Sequence, residues 1–181
     1  MTEQGYRATS VDQVIVDSGS SKGAFFHHFS SKADLAQQLT ERYVAADLAN
    51  LHGALEAVAG IEDPAARVVA FVRFFEEQGD EIMSAQSGCL YATVLAEREF
   101  TGSEINKLIA DATLEWRDEL VKLLKPALRS RRLRVDADVL ADHLYVTFEG
   151  AYILCRTLQD SAAMRAQLGV FRQLLEALFA G

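Results

Sequence analysis

Three helix starts stand close together at the front of this chain, at Ser10, Ser21 and Ser31, and Gly19 separates the first two. A serine just ahead of an apolar run accepts one of the backbone N–H groups that a helix end leaves unpaired. Ser10 has Gln13 three positions on and Ser31 has Asp34 in the same place, the spacing of a capping box. Val11, Val14 and Ile15 share one face of the first helix. Gly19 ends that helix, because glycine readily takes the left-handed conformation of a helix stop. Ser21 opens a short second helix carrying Phe25 and Phe29 at i and i+4, and Leu35 and Leu39 follow the third start. Two short helices joined by a tight glycine turn and feeding a long third one make a helix-turn-helix.

Apolar residues keep three- and four-residue spacing through the rest of the chain, with no alternating strand and no internal repeat, so the expected fold is all-α. The third helix runs from about Lys32 to Val58 and stops near Gly60. Asp63-Pro64 restarts the chain into a helix carrying Val68, Val69, Phe71, Val72 and Phe75 that is expected to stop at Gly79. Residues 80–88 read as broken, and Cys89 to Arg98 as a further helix. Ser103 caps a long helix through Leu124, where Pro126 is expected to kink or end it. A basic connector of Arg129, Arg131, Arg132 and Arg134 follows. Asp136 then opens a helix to about Leu158, and Asp160 or Ser161 opens the last, to about Phe179. The division expected is a helix-turn-helix domain over residues 1–36 and a helical effector-binding and dimerisation domain over residues 37–181.

Composition removes several classes of function. No apolar run approaches the ~20 residues that span a bilayer, and the first ten residues lack a signal-peptide pattern, so a cytoplasmic, non-membrane protein is expected. Cys89 and Cys155 fit no metal spacing and read as free, buried thiols. His27 and His28 lack partners at helical spacing, and His52 and His143 are isolated, so no metal and no cofactor are expected. No nucleophile–base–acid set and no phosphate-cradling glycine loop is present, so the chain is not expected to be an enzyme. The net charge of −8 is awkward for a nucleic-acid binder. Residues 1–32, however, carry three basic residues (Arg7, Lys22, Lys32) against three acidic ones (Glu3, Asp12, Asp17), so the positions of the cations matter more than the total.

On a helix of ~100° per residue, Lys22, Gly23, Phe26 and His27 fall on one arc, while Phe25 and His28 point the other way, into the small domain. A two-turn helix with a free N-terminus fits the major groove, where base edges are readable. Gly23 lets the backbone approach closely, and Lys22 can reach a phosphate or a guanine edge. Lys32 adds its charge to the exposed N–H groups of the next helix start, a phosphate site. The expected DNA-facing set is Ser10, Ser21, Lys22, Gly23, Ala24, Phe26, His27 and Lys32.

The run GSSKGAFFHHFSSKADL, with GYRATSVDQV before it, resembles the signature of the TetR family of transcriptional regulators over residues 5–39. There a glycine, a serine and a variable recognition helix lead to an aromatic pair and a Ser-Lys helix start. Gly88-Cys89-Leu90 with Ala96-Glu97 is similar to one regulator subgroup. Phe26 stands where the family usually has tyrosine, so one hydroxyl-to-phosphate bond is missing. The family also places an entire helix ahead of Gly5, where this sequence has four residues. A truncated helical dimer that no longer binds DNA is therefore one alternative expectation.

The resemblance implies a dimeric repressor of a palindromic operator, released by a small apolar or aromatic ligand. The helices near 103–125 and 136–158 are expected to pair with their copies as a four-helix bundle. Candidate pocket residues are Phe71, Phe75, Met83, Tyr91, Trp116, Phe148 and Tyr152, with Tyr91, Trp116 and Tyr152 preferred for their polar handles. The long helix from Lys32 is expected to act as the lever that couples pocket to DNA. A second alternative makes Cys89 a reactive thiol that senses electrophiles or redox state, its pKa lowered by Arg98 and a short helix start.

Overall fold

Each cap that the serines and Asp136 announce is made. In the computed structural model, residues 5–85 and 89–180 are described, with side chains through residue 80 and again from residue 89. Among them the elements are all helical: α1 (Val11–Asp17), α2 (Lys22–His28), α3 (Lys32–Val58), α4 (Pro64–Ala85), α5 (Leu90–Leu95), a 3₁₀ turn (Arg98–Phe100), α6 (Glu104–Ser130), α7 (Ala137–Leu158) and α8 (Ala162–Ala180). Ser10 Oγ accepts the Gln13 N–H at 3.0 Å, Ser21 Oγ that of Ala24 at 3.1 Å, and Ser31 Oγ that of Asp34 at 3.1 Å. Asp136 accepts from the N–H groups of Asp138 and Val139. The return half of the third box shifts by one residue: the Asp34 carboxylate takes the N–H and hydroxyl of Ser30, at 2.7 and 2.9 Å.

The chain divides into two compact units, the first built from Met1–Asp47 and Cys89–Ala112, the second from Leu48–Gly88 and Thr113–Gly181. Packing thus divides the chain elsewhere than after residue 36, because the segment around Glu97 bonds to the residues ahead of α1. In the first unit Phe25, Ala36, Leu90, Tyr91, Val94, Phe100, Ile105 and Ile109 are buried. Tyr91 packs edge-on to Tyr43, with ring centroids 5.0 Å apart, and its hydroxyl donates to Asp47 at 2.9 Å. A buried phenol needs such a partner.

The second unit encloses a single apolar core, with Leu51, Phe71, Val72, Leu124, Met164, Leu168 and Phe171 among its members. Helix α8 packs against both α4 and α7. Two glycines let α4 and α8 approach. A Cβ at Gly79 would lie 3.1 Å from the Arg165 backbone nitrogen, and one at Gly169 would lie 2.9 Å from Glu76 Oε1. Largely buried Arg172 ties the same seam, donating to Glu76 at 2.5 Å and to Glu176 at 2.7 Å. These carboxylates, Glu76 foremost, push the guanidinium pKa above its ordinary value.

Three local expectations give way to packing. Gly79 does not end its helix; α4 continues to Ala85, and the glycine serves the close contact with α8. Pro126 sits inside α6, which runs on to Ser130 because Ala127 and Leu128 are buried, at 0% and 4% exposure. The helix stops instead at Arg132, which takes a left-handed φ of 54°, with the Leu133 N–H returning to the Leu128 carbonyl. The helix expected over residues 89–98 is the shorter α5 followed by the 3₁₀ turn.

Candidate nucleic-acid interface

The turn between α1 and α2 is closed by backbone hydrogen bonds. Gly19 takes φ +61°. The Ser20 N–H reaches the Ile15 carbonyl at 3.0 Å, and the Gly19 N–H reaches that of Val16 at 3.1 Å. This 6→1 and 5→2 pair is the Schellman arrangement, which places the next helix start at a fixed distance from the last. Ser21 then caps α2. Phe25 is its buried anchor, with the Phe26 and Phe29 rings 5.1 and 5.4 Å away. With Phe25 fixed, Lys22, Gly23, Ala24, Phe26 and His27 are left exposed on α2, Phe26 at 50%. Ser10 and Ser21 are exposed as well, and their hydroxyls are engaged as caps.

Two expectations about this surface change. His28 does not point inward; it is exposed beside His27, the two rings 5.0 Å apart, because Phe29 and not His28 turns toward Phe25. The Lys32 ammonium is turned back onto the segment ahead of α1. It donates to the carbonyls of Tyr6 at 2.9 Å and Thr9 at 3.0 Å, and lies 4.1 Å from the centre of the Tyr6 ring. Arg7 is paired with Glu99, whose carboxyl is held below its usual range by its own backbone N–H and by Arg7. Of the three described cations between residues 5 and 36, Lys22 is the one left facing outward without an ion pair. Neither the Lys32 clamp nor the burial of Tyr6 that raises its phenol pKa could be read from local spacing.

The expected ligand residues fall in different places. Phe75, Trp116 and Phe148 form a ring cluster in the second unit, with centroids 5.4 to 6.3 Å apart. Phe71 is fully buried and meets Phe75 edge-on, with ring centroids 5.3 Å apart, and Tyr152 is half-buried against the same core. Tyr91 belongs to the first unit, engaged with Tyr43 and Asp47. The side chain of Met83 lies outside the described residues. An apolar cavity of about 10 Å³ lies between Phe71, Leu120, Leu140, Leu144 and Phe171. A charged cleft of about 370 Å³ is lined by Arg73, Glu76, Glu77, Arg165 and Arg172. Cys89 is 6% exposed at the head of α5, and Cys155 is buried in the core of the second unit.

A capped helix, a closed glycine turn and a second helix with its recognition side free define a helix-turn-helix DNA-binding regulator. Residues 1–39 match the model for bacterial regulatory proteins of the tetR family, and residues 64–171 match that of the tetracyclin repressor-like C-terminal domain. The chain belongs to the TetR family of transcriptional regulators, which are not enzymes. It is 28% identical over 160 residues to the transcriptional regulator AcuR of Cereibacter sphaeroides, covering 84% of this chain and 69% of that protein. The solved regulatory protein TetR from Rhodobacter sphaeroides has 24% identity and a TM-score of 0.73, covering 95% of this chain and 90% of the other. A TetR transcriptional regulator from Chloroflexus aurantiacus has 23% identity and the same TM-score of 0.73, covering 96% and 86%. Among the described residues no helix is long and apolar enough to cross a membrane.

Proposed function

We propose that the chain is a dimeric repressor that reads a palindromic operator through α2 and leaves it when a small apolar or aromatic ligand binds the second unit. The observation that carries this reading is the exposed arc of Lys22, Gly23, Phe26 and His27 over the buried Phe25. Lys22 supplies a charged contact, Gly23 a close approach, and Phe26 an apolar face of the kind that packs on a thymine methyl. With few free cations, shape and apolar contact carry a larger share of recognition than phosphate neutralisation does.

Exposed apolar residues support a dimer made by α7 and α8 in place of the expected α6 and α7. On α7, Val139, Val146, Ile153 and Leu158 are 60–64% exposed, and on α8 Val170 and Leu174 are 51% and 59% exposed. Helix α6 adds only Leu114 to the exposed large apolar residues, at 48%. Paired helices that each leave such a stripe uncovered suit a symmetric interface. For the ligand, the Phe75, Trp116 and Phe148 cluster supplies aromatic walls, and the Trp116 indole a polar handle.

The test is selection of duplexes from a random-sequence pool by the wild-type protein, followed by sedimentation of the complex. Enrichment of an inverted repeat bound by two chains is expected. A pool that stays unenriched at low salt refutes DNA reading, and enrichment of a single half-site bound by one chain refutes the dimer. Fluorescence of Trp116, the single tryptophan of the chain, then screens small aromatic compounds. A true inducer shifts it and lowers operator affinity by ~5- to 150-fold, the usual size of such coupling.

A further inference from the structure

The segment that leads into the DNA-reading helices is held by a residue far along the chain. Tyr6 and Arg7 both donate their backbone N–H groups to one oxygen, Oε1 of Glu97, at 2.6 and 3.2 Å. Gly5 makes that approach possible. It takes φ +82°, and a Cβ there would lie 2.8 Å from the same oxygen. Consecutive N–H groups converging on an anion form a nest, and bonds to a charged acceptor are roughly twice as strong as neutral ones. The carbonyls of Tyr6 and Thr9 meanwhile accept from the Lys32 ammonium. The Tyr6 ring lies edge-on to Phe100, with centroids 4.7 Å apart. An anion therefore grips the donor side of residues 5–9 and a cation grips the acceptor side. Thr9 closes the turn, its hydroxyl donating to the Gly5 carbonyl at 2.8 Å. Ser10, the next residue, caps α1, and the bonded glycine turn passes that placement to α2.

We infer that Glu97 is a positioning residue for DNA recognition: it sets α1 and α2 by anchoring Tyr6 and Arg7, without itself contacting the nucleic acid. The inference rests on the reading of α2 as the DNA-binding helix. Glu97 is half-buried and neighbours none of the exposed side chains of α2 in sequence, so motif reading of the front segment passes over it. Removing the carboxylate frees two backbone donors and leaves the Lys32 clamp and the exposed Arg7–Glu99 pair to hold the segment. The competent arrangement of the head then falls in population, and affinity falls in proportion.

The experiment compares the wild-type chain, Glu97→Ala, Glu97→Gln and Gly5→Ala on a duplex selected from a random pool by the wild-type protein. Affinity is read across salt, and hydrogen exchange is followed along residues 5–17. Glu97→Ala is expected to weaken binding ~10-fold with an unchanged salt slope, since no phosphate contact is lost. Exchange should quicken in residues 5–17, and melting of the second unit should stay as it was. Glu97→Gln keeps an acceptor oxygen and should recover most of the affinity. Gly5→Ala should also weaken binding, partly through the Glu97 contact and partly through the strain of a Cβ at φ +82°, so the loss in the double variant should fall short of the sum of the two single losses. Wild-type affinity in Glu97→Ala, or a salt slope reduced by ~1, overturns the positioning role while leaving DNA reading intact. Full additivity of the two substitutions overturns the shared contact. A wild-type protein that enriches no duplex removes the reading of α2 and this role with it, even where exchange in residues 5–17 still responds to Glu97→Ala.

Discussion

Replacing Lys32 with methionine separates two roles that its place at a helix start allows. As a phosphate ligand it would act through its charge on DNA; as a clamp it acts through Tyr6 and Thr9. The structure favours the clamp, with bonds of 2.9 and 3.0 Å and the ammonium 4.1 Å from the Tyr6 ring centre. A hydrogen bond from a charged donor is worth ~1.5 kcal/mol at the low end of its range, and a cation over an exposed ring ~0.5 kcal/mol. The three contacts together reach ~3.5 kcal/mol, and water returning to a half-exposed site cancels roughly a third to a half of that. About 2 kcal/mol remains, or ~30-fold in an equilibrium. Lys32→Met keeps the apolar stem, so the loss comes from the ammonium alone. Operator affinity should fall by up to ~30-fold, because only the clamped fraction reads DNA. Titrations from low to moderate salt are the assay. The clamp predicts parallel lines for wild type and variant, whereas a phosphate contact predicts a slope lower by ~0.9. A flattened slope, with exchange at Tyr6 to Thr9 as slow as in the wild type, refutes the clamp.

Four further outcomes follow from the geometry. Gly53→Ala, with nothing within 4 Å of the added Cβ, should stabilise α3 by ~0.5–1 kcal/mol. Gly79→Ala should instead destabilise by ~1 kcal/mol, since the same helical gain is outweighed by overpacking against the Arg165 backbone; denaturant midpoints decide both signs. Asp34 has its pKa lowered by bonds from Gln38 first and Ser30 next, so its contribution to stability is present above the ordinary 3.8 and lost as pH falls through the lowered value. The stability gap between wild type and Asp34→Asn should therefore close on acidification, and a gap that persists in acid sinks the assignment. Ile153→Asp should yield monomers in sedimentation without loss of helicity, as the side chain is 64% exposed; a persistent dimer would move the interface off α7.

Helix boundaries set by local chemistry were legible in the sequence. Ser10, Ser21, Ser31 and Asp136 cap where their spacing says, and Gly19 stops α1 through its left-handed backbone. Boundaries set by packing were not. Gly79 and Pro126 carry strong local stop signals, yet α4 and α6 continue, because a close seam with α8 and the buried Ala127 and Leu128 outweigh them. The exposed arc of α2 followed from helical geometry and the Phe25 anchor, except at His28, where the end of the helix turns Phe29 inward in its place. Lys32 and Tyr91 make contacts that local spacing does not announce. Their partners lie 26, 23 and 44 positions away, and no window around either residue holds that information.

The anchoring of Tyr6 on a carboxylate 91 positions downstream also has a meaning in time. A ribosome adds ~5–20 residues per second, so roughly 5–20 s separate the two partners during synthesis. Isolated helices as short as α1 and α2, of seven residues each, are marginal in water without tertiary support. Helices α1 and α2 are thus made before the residue that anchors them and are finished later than they are made. Residues 48–88 must emerge before Glu97 can reach the backbone that waits for it. On the role inferred for Glu97, the placement of α1 and α2 is complete only after the Cys89–Ala112 segment has emerged, well after α2 itself has left the ribosome.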